Sequence, residues 1–283
     1  MELINPYYEI SNQESFDLTG IYKQIEKTGR VSHKSEDRIT ETSAKDFVEK
    51  LIGWGHTACL EQGSVYLKIN NNDIEGLTML DEMPFEKVDH YLILNEDNEG
   101  NIYVSTNARV IQENNLHGLL KYLCPPTEYH EKRYCVKFVC SRAISHELVR
   151  HRKMSFIQES QRYVNYSKNK FNKEIKFIKP LWYDDNKHNI YYESFSEDQW
   201  TKEDRFYKAC MNSERDYFQL LDYGLKPQEA REVLINSTKT EIYVTGFKSD
   251  WDKFFDLRCD IAAHPEMRRL CIPLKEELFN EIR

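Results

Sequence analysis

Glycine is scarce in this 283-residue chain, ten in all, and none falls in a G-x-G-x-x-G or G-x-x-x-x-G-K-[S/T] pattern. The Rossmann and P-loop ways of holding phosphate on glycine-rich backbone are therefore absent. No run approaches the ~18 consecutive apolar residues of a spanning helix. The opening MELINPYYEI has no basic segment leading into an apolar one. A cytoplasmic protein without span or secretory leader is the expectation. No C-x-x-C occurs among the seven cysteines, at 59, 124, 135, 140, 210, 259 and 271. An odd count without that spacing predicts free thiols in a reducing compartment. Repeats and low-complexity linkers are absent too.

Charge is plentiful but unbalanced: 47 acidic against 39 basic side chains, a net of −8. Such a surface repels nucleic acid unless the bases cluster. Hydrophobic residues at 40% and charged residues at 30% exclude wholesale disorder. The length suits one α/β unit over 1–283 with an insertion.

Ser43-Ala44-Lys45-Asp46 has the pattern of a capping box, with Phe47, Leu51 and Ile52 on one face of the helix it opens. SVYLKI, HYLIL and NIYVSTN read as strands around the turn EDNEG. A helix over 107–123 ends before Pro125-Pro126. Tyr134–Cys140 reads as a buried strand, and Ser141 caps a helix running to about Arg152. Residues 164–195 are polar and irregular apart from a short strand near EIKFI, a stretch suited to a lid or an interface. A long helix from about 196 to Tyr223 is closed by Gly224, and Pro227 opens a helix over 227–235. EIYVTG (241–246) is a strand, 248–260 a helix, and a last helix begins near Pro265. Strands and helices intermingle, an α/β or α+β pattern.

The densest chemistry lies in Arg150-His151-Arg152-Lys153 and the run through Tyr163. Arginine is well shaped to bind phosphate through two parallel bonds. On a continuous helix Arg150 and Arg152 diverge by roughly 200°. They therefore serve two anions or one extended ligand, unless the helix unwinds. A solvated basic helix end, favoured by the helix dipole, is the plain alternative. Cys135 and Cys140, with His130 or His146, could be drawn as a zinc site. Five residues along a strand put these thiols on opposite faces, so no metal is expected.

The pattern R-H-R-x-x-S-x-x-x-x-S-x-R-Y over Arg150–Tyr163 resembles the signature of the flavin-dependent thymidylate synthases. Gly55-His56 with Glu61 is similar to that family's upstream segment. Ala230-Arg231-x-x-Leu234, Thr240, Leu257-Arg258, Glu266 and Arg268 are similar to its C-terminal block. The likeness is interrupted by 66–133, read as an insertion with an extra hairpin.

The resemblance implies methylation of dUMP to dTMP, with methylenetetrahydrofolate as carbon donor and FAD, reduced by NADPH, as hydride carrier. It implies a mixed α/β fold around a mostly antiparallel central sheet, and a homotetramer with shared sites. His56, Glu61, Arg150, His151, Arg152 and Gln158 would contact FAD. Glu147, Gln158, Ser160, Arg162 and the backbone of Glu159 and Gln161 would hold the nucleotide, with Arg231 on its phosphate. Arg258 would stabilise the pyrimidine anion, an electrostatic role. Pro-Cys-His, the setting of the cysteine-dependent thymidylate synthases, is missing.

Several positions depart from the family's habits. Gln62 stands where a histidine often follows the glutamate, Glu147 where glutamine is common, and Gln158 where an acid is common. Ile235 replaces a common proline, and Phe247 and Lys253 common asparagines. A carboxylate at 147 only accepts hydrogen bonds, whereas an amide also donates. A relative acting on another pyrimidine nucleotide, such as dCMP, or adding hydroxymethyl therefore stays open. So does a nucleic-acid-binding module using the basic patch, although the net charge opposes it.

Overall fold

The computed structural model describes residues 1–82, 91–189 and 191–280. A four-stranded antiparallel sheet lies at the centre, formed by β2 (Tyr7–Ile10), β6 (Arg133–Ser141), β7 (Ser155–Gln158) and β9 (Lys239–Phe247), in the order β2-β6-β9-β7. β6 and β9 pair over nine residues, from Arg133 opposite Phe247 to Ser141 opposite Lys239. Their even-numbered residues, Tyr134, Val136, Phe138, Cys140, Ile242 and Val244, pack on Trp251, Phe254, Phe255 and Leu270 from the helices Lys248–Arg258 and Pro265–Asn280. Their odd-numbered residues face the other way. Cys135 and Tyr243 meet Val31 and Ile157 there, so Cys135 and Cys140 lie on opposite faces as the strand period requires.

A three-stranded antiparallel sheet, β3 (Ser64–Ile69), β5 (Ile102–Asn107) and β4 (Ile93–Glu96) in the order β3-β5-β4, stands beside it. Its apolar face packs on the helices Leu18–Gly29 and Ser43–Gly53 through Ile21, Ile25, Val48 and Leu51. The turn between β4 and β5 is built on Asp97, whose carboxylate accepts from the amides of Glu99 and Asn101, with Gly100 at φ +82°. HYLIL contributes β4 from Ile93; its His90 lies outside the described residues. β1 (Glu2–Ile4) and β8 (Lys176–Ile178) form a separate parallel pair.

Local chemistry explains where boundaries differ from expectation. Ser43 is the first helical residue rather than the cap, and its hydroxyl bonds Glu26 and the Thr40 carbonyl. The helix expected over 107–123 stops at Glu113, because Asn115 takes a left-handed φ of +56°; a 3-10 helix follows over His117–Tyr122. The long helix starts at Lys202, after a capping box of Thr201 with Asp204, and ends at Asp222 before Gly224. Pro227 opens a helix of only four residues, and Arg231–Val233 tighten into a 3-10 turn.

Candidate active site

Ser141 ends β6 and its hydroxyl accepts from the amide of Ile144, capping the helix Arg142–Leu148. That helix stops at Leu148, short of the expected Arg152. The Arg150 amide then bonds the Glu147 carbonyl, and the His151 amide that of Leu148. Arg150–Lys153 therefore form a turn into β7, and the divergence computed for a continuous helix does not apply. Arg150, Arg152 and Lys153 are exposed, and among the described residues none of them joins an ion pair.

Beside this turn, Arg258 ends its helix with most of its guanidinium engaged. Nε donates to His151 Nε2 at 2.9 Å, Nη1 to Glu147 Oε2 at 2.9 Å and Nη2 to the Glu147 carbonyl at 2.7 Å. The His151 ring stands edge-on to Phe254, 4.7 Å between centroids. Burial, then the Arg258 charge, pulls the His151 pKa down to about 4, so the imidazole stays neutral and can accept. Its ring thus accepts from Arg258. Glu61 is likewise turned inward. It is buried, and Arg109 holds its carboxylate while Arg133 donates to its carbonyl. Both side chains are hydrogen-bonded within the chain.

At the far end of β7, Gln158 Nε2 donates to Ser145 Oγ and Thr240 Oγ1 at 2.9 and 3.0 Å. Glu159 is buried against Lys239 Nζ (2.9 Å) and Tyr166 OH (3.0 Å), and its amide bonds the Glu241 carbonyl. That amide continues the pairing of β7 with β9. Ser160 Oγ accepts from the Arg162 amide at 3.3 Å, and Ser160 donates its own amide to the Ser32 carbonyl. Gln161 Nε2 is buried without a partner. Arg231 touches only Glu232, at 3.6 Å, among the described carboxylates. Its charge reaches the half-buried Arg142, whose pKa is lowered chiefly by burial.

A cleft of about 590 Å³ opens next to Tyr163, lined by His33, Arg38, Lys50, Trp54, Lys168 and others. Tyr163 stacks on His33 with centroids 4.5 Å apart. Burial, then the charge of His56, lowers the His33 pKa, which places His56 within electrostatic range of the same wall. Neither this cleft nor Arg142 was singled out from sequence. The pair Lys168 and Lys170, two apart in a polar stretch, was the available signal. The chain thus gathers Glu147, His151 and Arg258 at the end of the helix Arg142–Leu148. Gln158, at the end of β7, meets Ser145 of that same helix, and Glu159–Arg162 follow it.

Residues 126–282 match the family described as thymidylate synthase complementing protein. A flavin-dependent thymidylate synthase of Geobacter sulfurreducens is 33% identical over 135 residues, 47% of this chain and 50% of that one. Its counterpart from Pyrococcus abyssi is 32% identical over 139 residues, 49% of this chain and 51% of that one. The chain spans about half the length of the curated relatives it matches. A solved UMP/dUMP methylase from Streptomyces cacaoi aligns with 98% of this chain and 91% of its own, at 16% identity and a TM-score of 0.45.

Proposed function

Because the chain belongs to the thymidylate synthase complementing protein family, we propose that it is a flavin-dependent thymidylate synthase. On this reading it converts dUMP to dTMP in the cytoplasm, with methylenetetrahydrofolate as carbon donor and NADPH as reductant. The observation that carries it is the family match across the whole Arg150–Tyr163 segment, together with an exposed arginine turn beside a preorganised Arg258.

The residues present fit FAD. Free cations at Arg150 and Arg152 suit its pyrophosphate, and the aromatic faces of Tyr163, His33 and Trp54 suit flat rings. His56, Glu61, His151 and Gln158 would complete the contact. When bound, the flavin supplies the hydride. Gln158, Ser160 and Arg162 would grip the nucleotide, with Glu159 and Gln161 lending backbone contacts and Arg231 its charge. Arg258 would face the pyrimidine, where a guanidinium stabilises negative charge on the ring. Glu147 and His151 hold that guanidinium in place.

A site combining neighbouring subunits of a homotetramer is part of the proposal. Leu257 and Ile261, exposed beside Arg258, support an interface there. The 66–133 stretch is on this reading an elaboration within one domain.

The test is an anaerobic assay with FAD, NADPH, the folate donor and either dUMP or dCMP, with identification of the nucleotide product. dTMP from dUMP is expected. A product from dCMP alone would move the assignment to the relative that the carboxylate of Glu147 leaves open. No product from a flavin-loaded protein would overturn it.

A further inference from the structure

Arg133 begins β6 at the joint between the two sheets and is only 9% exposed. Its guanidinium donates to the Glu61 carbonyl at 2.8 Å, to Ser64 Oγ at 3.3 Å and to the Thr106 carbonyl at 3.5 Å. All three acceptors are uncharged, and Nε has no partner. Two carboxylates, Glu61 and Asp250, act on it from a distance without forming an ion pair with it. Glu61 is held by Arg109, and Asp250 accepts from the amide of Phe247. A guanidinium keeps its proton, so burial does not neutralise it. A buried charge without a counterion is strongly unfavourable.

Arg133 lines a cavity of about 170 Å³, several times the ~30 Å³ share of one water. Lys132, exposed at its mouth, supplies a second cation; Gln24, Ser64 and Tyr66 form neutral walls. No carboxylate occurs among the described lining residues. The cavity shares no residue with the candidate active site. Arg133 and Cys135, odd-numbered on β6, face away from the apolar layer that carries Arg258.

We infer that this cavity binds a small oxyanion of the phosphate or sulfate class between Arg133 and Lys132. The anion supplies the contacting negative charge that the distant Glu61 and Asp250 do not, and tightens the seam between β3 and β6. The inference does not depend on the flavin reading.

Inorganic phosphate is the probe, measured on the full chain by equilibrium dialysis and by thermal unfolding against sodium chloride of equal ionic strength. Saturable binding with a rise in Tm is expected, ~tenfold weaker in Lys132→Ala and in Arg133→Met. Arg162→Ala and Arg231→Ala, at the candidate nucleotide site, should leave this binding unchanged. Absence of saturable binding, showing a cavity that holds water only, would overturn the inference. So would binding lost in Arg162→Ala or Arg231→Ala but kept in Lys132→Ala. Should Arg133→Met fail to fold, Lys132→Ala and the milder Arg133→Lys decide in its place.

Discussion

Arg258 shows how a mobile side chain becomes a fixed charge. Three acceptors on two residues hold its guanidinium: the Glu147 side chain and carbonyl, and the His151 ring, kept neutral by burial and the Arg258 charge. Replacing Arg258 with alanine should lower turnover ~10²–10³-fold, the usual loss for a donor to developing charge, while flavin still co-purifies. A rate within a few fold of wild type would remove Arg258 from the chemistry. His151 makes a separate prediction about pH. Its ordinary value is 6.5 and its folded value about 4, so between these the unfolded chain binds the extra proton. Stability therefore falls as pH drops from 6.5 towards 4 and levels off below, by on the order of 2 kcal/mol after solvent screening. Urea denaturation at pH 6.5 and 4.5 measures it. His151→Gln, which can still accept from Nε, should flatten that part of the slope; an unchanged slope assigns it to other groups.

At the scale of elements, ends and turns follow short-range chemistry. Gly224 takes φ +91° just past the long helix, with open space where a Cβ would stand. Gly224→Ala should therefore cost about 1 kcal/mol from backbone conformation alone, read as a lower urea midpoint with unchanged slope. Most elements were legible in the sequence at this scale. The alternation of β5 and β6, the Ser141 cap, Gly224 and Pro227 all act through neighbours within four residues. The helix ending at Leu148 was not legible. Nothing local stops it there; it yields to β7, whose first residue, Ser155, must reach Thr245 of β9. The same holds for the candidate site. The Arg150–Tyr163 run was visible as a cluster, whereas the pairing of Arg258 with residue 147, 111 positions away, was not.

The whole molecule contains seven free thiols, and burial raises the pKa of each; those of Cys59 and Cys135 reach about 11 and that of Cys210 about 12. Thiols kept protonated make poor nucleophiles. Each single Cys→Ala variant should then turn over within a few fold of wild type, and loss of rate in a folded variant would point to cysteine chemistry. Light scattering of the purified protein should return a mass near four times 33.9 kDa; a monomer would break the shared-site proposal. The amino-acid order alone determined the alternation of apolar and polar positions, the caps and the basic run, because those depend on spacings of a few residues. Only the tertiary structure decided that His151 and Glu61 turn inward, that Arg258 is fixed by Glu147, and that Arg133 is buried on uncharged acceptors. Burial and long-range pairing set those states, and neither can be read from neighbours along the chain.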